Sequence, residues 1–130
     1  MTIFIDTSAI YALLDRADDN HERARLGQER VLGEQLVTHS YVVVETISLV
    51  RRRLGPPATV RLVDEFLPAI EVHDVDERLR LRAIASFRAA VRTDVSLVDR
   101  TSFEFMREQG ITRAFAVDAD FETAGFELVS

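Results

Sequence analysis

Four acidic residues stand at the ends of apolar runs or inside them. Asp6 ends Ile3-Phe4-Ile5, and Asp118 ends Ala114-Phe115-Ala116-Val117. Glu45 interrupts Val42-Val43-Val44 and Ile47, and Asp99 lies three residues after Ser96. A carboxylate buried without a partner is costly and tends to take up a proton. Carboxylates packed together also repel, and a hard divalent cation is the usual remedy. Mg2+ and Mn2+ take oxygen ligands and keep several waters. A cation held that way lowers the pKa of water, orients it and stabilises charge at a phosphate. Each acid also has a plainer use. Asp6 and Asp118 suit turns, Asp99 suits a capping pair with Ser96 or the positive end of a helix dipole, and Asp120 suits a cap for the segment starting at Phe121. One at a time, the plain uses weigh at least as much; four acids aimed at one edge favour chemistry.

The elements that must position them can be read from hydrophobic periodicity. Ile3, Phe4 and Ile5 make a run typical of a strand buried on both faces. Thr7 and Ser8 suit the cap of a helix reaching Leu14. His21 to Glu34 reads as a surface helix, with His21 structural in its first turn. Leu36 to Thr38 is a short second strand. Tyr41 to Leu54 is an amphipathic helix, with Val43, Ile47, Val50 and Leu54 at helical spacing, stopped by Gly55-Pro56-Pro57. Ala58 to Leu67 is helical again, and Ile70 to His73 is a third strand. Asp76 to Val91 is a long helix, with Leu79, Ala83, Ile84 and Phe87 facing inward. Ser96 caps a helix that Gly110 ends, Ala114 to Val117 is a fourth strand, and Glu127 to Val129 a short fifth.

Strands alternating with helices predict an α/β fold, a three-layer α/β/α sandwich around a mostly parallel sheet of four to five strands, with residues 1–130 as one domain. Open parallel sheets place ligands beyond the carboxyl ends of their strands, and the N-termini of their helices lie near that edge. Asp6, Glu45, Asp99 and Asp118 are therefore expected to converge there.

Composition removes several other chemistries. All 16 basic residues are arginine, so no lysine can form a Schiff base, hold a nucleotide phosphate or complete a receiver-type site. Cysteine is absent, which excludes thiolate nucleophiles and disulfides and fits a cytoplasmic protein. A net charge of −6 disfavours sequence-independent coating of DNA, so any nucleic-acid contact must be local and carried by clustered arginines. No run has the length of a membrane span, and no basic-then-apolar leader opens the chain. Asp6-Thr7-Ser8 lacks the second Asp of a haloacid-dehalogenase-type phosphatase. His39 and His73 suit packing or capping better than a hard-metal site.

Ile5-Asp6-Thr7-Ser8, Val44-Glu45, Ser96-Leu97-Val98-Asp99 and Phe115-Ala116-Val117-Asp118-Ala119-Asp120-Phe121 resemble the acidic motifs of PIN domains, most of all the VapC toxins of toxin–antitoxin pairs. The likeness spans the whole chain in order and spacing, to the closing Ala124-Gly125-Phe126. It implies a Mg2+-dependent endoribonuclease (Mn2+ as substitute), a cognate VapB-type antitoxin and a homodimer. It places Asp6, Glu45, Asp99 and Asp118 in the acidic cluster, with Thr7, Ser8, Asp94 and Asp120 in support. The position after Asp99 is often small in such domains. Here it is Arg100, which puts beside the cluster a cation able to reach RNA. Arg51, Arg52 and Arg53 suit the helix dipole first, and contact with RNA phosphate or an antitoxin carboxylate second. The rivals are a non-catalytic module of the same fold and a metal-dependent phosphatase or DNA nuclease.

Overall fold

The structure, a computed structural model, describes residues 1–129. Five strands, β1 (Thr2–Ile5), β2 (Gln35–His39), β3 (Glu71–His73), β4 (Arg113–Phe115) and β5 (Glu127–Leu128), form one sheet in the order β3-β2-β1-β4-β5. Every pairing is parallel. β1 lies at the centre with strands on both sides and layers on both faces. Its run is therefore unbroken by polar residues, and Ile3 and Phe4 are wholly buried.

Helices α1 (Thr7–Leu14), α2 (His21–Arg30), α3 (Ser40–Leu54) and α4 (Pro56–Arg61) precede β3; α5 (Glu77–Ala89), α6 (Leu97–Gln109) and α7 (Asp120–Thr123) follow it. Two apolar clusters mark the two faces of the sheet. Ile3, Ile5 and Phe115 pack with Ala9, Ile10, Leu14, Ala24 and Val50. Phe4, Val37 and Ala114 pack with Leu79, Phe103, Phe105, Met106 and Phe121. The expected α/β/α sandwich is present.

Several local expectations are corrected. The helix opening at His21 ends at Arg30, not Glu34. Val31 turns into the core, Gly33 takes φ 82°, and Glu34 pairs with the N-terminal ammonium at 2.7 Å. The helical run before Pro68 opens at Pro56 rather than Ala58, because the first helical turn has no use for the amide that proline lacks. It continues as a π-helical turn over Leu62–Phe66 and a 3-10 turn over Leu67–Ala69. Ile84 lies off the stripe by which α5 buries Leu79 and Ala83, and is 43% exposed. β4 ends at Phe115, two residues early, where its pairing with Ile5 stops.

Gly110 ends α6 in the left-handed region at φ 68° and ψ 27°. Its N–H donates to the Arg107 carbonyl, and that of Ile111 to Met106 at 2.8 Å. This is the Schellman arrangement, and the buried Ile111 and Met106 supply its apolar contact. Gly110→Ala is expected to destabilise the fold by about 1–2 kcal/mol, since a Cβ disfavours that conformation whatever the room around it. A urea melt with an unchanged midpoint would contradict this.

Candidate active site

The carboxyl edge of the sheet is tied together by backbone and hydroxyl bonds before any side-chain charge is considered. The amide of Asp6 donates to the Phe115 carbonyl at 3.0 Å, locking the end of β1 to the end of β4. Asp6 itself caps α1: its Oδ2 accepts from the Ser8 amide at 3.1 Å and the Ser8 hydroxyl at 2.6 Å. Thr7 and Ser8, expected to cap this helix, are instead its first residues. Ser8 Oγ also accepts from the Val117 amide at 3.1 Å, so it holds Asp6 and the approach to Asp118 together. Thr7 Oγ1 lies 2.8 Å from Thr46 Oγ1 in a buried contact that ties α1 to α3 beside Glu45.

Asp99 lies in the first turn of α6, where its amide donates to Ser96 Oγ at 3.1 Å. Among the described residues the Asp99 carboxylate makes no return bond to Ser96, so capping does not occupy it. Asp118 Oδ1 accepts from the Asp120 amide at 2.9 Å. That turn makes Asp120 the first residue of α7 rather than its cap. Asp99, Asp118 and Asp120 each offer an oxygen within 4.8 Å of the others. Asp6 and Glu45 act on the same cluster through charge. Burial, then repulsion from Asp6, Asp118, Glu45 and Asp120, pushes the Asp99 carboxyl up to about 8. Burial pushes Asp6 up to about 6 against the pull of the Ser8 hydrogen bonds, with Glu45 and Asp118 adding repulsion. Asp120 is raised by burial and by Asp118, while Arg100 draws it down.

Among the described residues, the buried Asp6 Oδ1 has no hydrogen-bond partner. That orphaned oxygen, together with three carboxylates whose oxygens lie within 4.8 Å of one another, has the chemistry a hard divalent cation takes. Asp94 is exposed and contributes charge against Asp120. Arg100 lies against the cluster, with its guanidinium 5.9 Å from the Phe103 ring centre and Nη2 donating to Thr93 Oγ1 at 3.4 Å. Arg51 to Arg53 lie six to eight residues beyond Glu45, about 9–12 Å along the helix axis. Arg53 stacks there on Tyr11. His73 packs against Phe105 and bonds Glu71, and His21 Nδ1 lies 2.7 Å from the Ala12 carbonyl.

The sequence reading missed Thr46 and Arg23. Arg23 Nη1 donates to the Val117 carbonyl at 3.4 Å, one residue from Asp118, across a separation of 94 residues. No short-range pattern announces either contact. Helical spacing does place Thr46, next to Glu45, on the buried side of α3.

Over residues 3–127 the sequence matches the PIN domain. It is 34% identical over 128 residues, 95% of both chains, to the 23S rRNA-specific endonuclease VapC20 of Mycobacterium tuberculosis. The crystal structure of that protein, described as a sarcin–ricin loop cleaving toxin, superposes with a TM-score of 0.83 at 33% identity, covering 95% of each chain. VapBC2 of Rickettsia felis, solved bound to promoter DNA, matches with a TM-score of 0.71 at 13% identity, over 98% of this chain and 97% of that one, a likeness of fold alone.

The raised acids give the metal-free protein a definite pH dependence. Asp6 and Asp99 hold protons more tightly folded than unfolded, so their contribution to stability is full below about pH 3.9, the unfolded value. It is lost as pH rises through about 6 and then about 8. Thermal melts in a chelator are expected to fall from about pH 4 to about pH 8, and Asp99→Asn should flatten the part of that fall above about pH 6. Saturating Mn2+ should reverse the trend, since the cation needs the charged form and stabilises the fold by about 2.7 kcal/mol at a hundredfold excess over its dissociation constant. A wild-type melt indifferent to both pH and Mn2+ would count against the cluster as a cation site.

Proposed function

The chain belongs to the PIN-domain family and is a VapC-type endoribonuclease, and we propose that it hydrolyses RNA phosphodiester bonds with Mg2+ held among Asp6, Glu45, Asp99, Asp118 and Asp120. The observation that carries this reading is the meeting of Asp99, Asp118 and Asp120 within 4.8 Å, beside the unpartnered Asp6 Oδ1. A bound divalent cation supplies Lewis-acid charge that lowers the pKa of the attacking water and offsets the charge growing on the phosphate. The protein's own groups do the rest. Ser8 engages one oxygen of Asp6 and leaves the other free for the cation. Asp99, whose carboxyl is pushed up to about 8, would be held in its charged form by a bound cation. Arg100, its guanidinium 5.9 Å from the Phe103 ring centre, is placed to meet a phosphate flanking the scissile bond. A VapB-type antitoxin and a second copy of the chain are the protein partners this reading implies. Ribosomal RNA is the substrate to test first, given the specificity named for the 34% identical relative.

Asp6→Asn and Asp99→Asn are each expected to lower RNA cleavage by about 100-fold or more while the fold persists. Parallel assays on RNA, DNA and a phosphomonoester separate this reading from its rivals. Full activity in both purified variants would overturn the site assignment, and equal cleavage of DNA would overturn the substrate class.

Arg100→Ala is expected to weaken RNA binding and to lower the slope of log affinity against log salt by roughly 0.7, the share of one phosphate on a single strand. Mn2+ affinity should hold, since a guanidinium does not ligate a cation. Alanine at Arg51, Arg52 and Arg53 together should change the slope less. The reverse ranking would place the RNA path along α3.

A further inference from the structure

The cluster needs Glu45 and Asp99 at a fixed separation, although they are carried by different helices and repel each other. One buried group joins the openings of those two helices, and the mechanism above does not use it. His39 ends β2, precedes α3 and is wholly buried. Its Nδ1 accepts from the Val42 amide at 3.4 Å, and its Nε2 lies 2.8 Å from Ser102 Oγ in α6. Ser102 Oγ in turn donates to the Val98 carbonyl at 3.0 Å. These partners permit one direction of donation. Since Nδ1 accepts, Nε2 carries the hydrogen and gives it to Ser102, whose own hydrogen goes to Val98, the residue before Asp99. Burial pushes the imidazole down to about 3, so it stays neutral and the direction does not change near neutral pH. The rings of Phe4 and Phe105, each 5.7 Å away, and Tyr41 at 6.0 Å hold its plane.

We propose that His39 is a positioning residue of the acidic site, setting the first turn of α6 against the first turn of α3 through Ser102 and thereby the gap between Asp99 and Glu45. A hydrophobic side chain would fill the same space among Phe4, Phe105 and Tyr41. Only a group that accepts on one side and donates on the other spans from the α3 amide to the α6 hydroxyl. The link complements the Thr7–Thr46 bond, so the helices beginning at Asp6, bearing Glu45 and bearing Asp99 are joined in series by buried side-chain hydrogen bonds.

The proposal rests on the reading of these acids as cation ligands, and the test separates the two. His39→Asn leaves an oxygen near the place of Nδ1 to cap α3 but withdraws from Ser102. Ser102→Ala cuts the same link from the other side. His39→Gln restores an amide donor near the place of Nε2. Mn2+ affinity by calorimetry, RNA-cleavage kcat and KM, and melting temperature are measured for each, well below the melt. His39→Asn and Ser102→Ala are expected to weaken Mn2+ binding and kcat by about 10-fold or more, the usual effect of losing a group that orients metal ligands. KM should hold, the double variant should be no worse than the poorer single one, and His39→Gln should recover part of the Mn2+ affinity. If His39→Asn does not fold, Ser102→Ala and His39→Gln decide. Lower melting temperatures with Mn2+ affinity and kcat within twofold of wild type would overturn the proposal and leave His39 a packing residue. Wild-type protein that binds no Mn2+ would instead overturn the cation site itself.

Discussion

Repulsion among carboxylates at one edge of a parallel sheet governs how this molecule is built. β1 and β4 are neighbours in the sheet, so the acids that follow them, Asp6 and Asp118, are brought to one edge by the pairing of Ile5 with Phe115. The first turn of α6 then brings in Asp99, and a tight turn adds Asp120. In water such a group would move apart. Here the backbone is held from behind by bonds that carry no charge: Asp6 amide to Phe115 carbonyl, Ser8 hydroxyl to Asp6 and Val117 amide, Thr7 to Thr46, His39 to Ser102. Neutral donors hold the acids in place without cancelling their charge. Burial first, and that repulsion after it, raise the titration of Asp6 and Asp99, and a divalent cation bound among them would offset both.

The parts legible in the sequence are those set by short-range patterning. A three-residue apolar run ending on an acid identifies β1 and its carboxyl end because a centrally buried strand has no polar face to show. Ser96 three residues before Asp99, and Gly110 after the last helical turn, mark both ends of α6 through capping chemistry that acts within one turn. Asp120 suits a cap but opens α7 instead, because Asp118 makes the turn first, and two acids two residues apart look interchangeable in sequence. The spacing of Ile84 from Leu79 and Ala83 allows an inward place that the structure does not give it. Whether a helix buries a narrow or a wide stripe depends on what packs against it, and α5 packs chiefly on α6, with Arg82 reaching Glu104 and Glu108 there.

What the sequence conceals is the set of long-range polar partners. His39 and Ser102 are 63 residues apart, and Thr7 and Thr46 are 39 apart. Their pairing depends on how two layers meet, and neither residue type announces a partner. A buried polar residue at the mouth of a parallel sheet is nonetheless costly enough to demand one. Thr46 on an apolar helix face beside Glu45, and His39 closing a buried strand, are the sequence signs of that demand, though not of who meets it.

Arginine alone supplies the positive charge of this acidic chain, and its side chains are spent in a consistent way. Arg53 stacks on Tyr11, Arg61 on Phe66, Arg107 on Phe126 and Arg100 on Phe103. A guanidinium is weakly hydrated and flat, so it rests on an aromatic face at little cost and keeps its edge for an anion. Of these four, Arg100 is the one whose charge reaches the cluster, where it draws down the titration of Asp120. Its Nε is also buried, without a partner among the described residues. In the metal-free state Arg100 therefore offsets part of the repulsion that a cation would otherwise have to relieve. It does so weakly, from a stacked position that the cation need not displace. A bound divalent cation would offset two of the acids' charges, and Arg100, held beside them by Phe103, would still offset part of the remainder. On the proposed reading, cation binding and phosphate binding would support each other. The carboxylates that would repel an RNA backbone in the metal-free protein would, on that reading, be partly compensated by the cation and by Arg100.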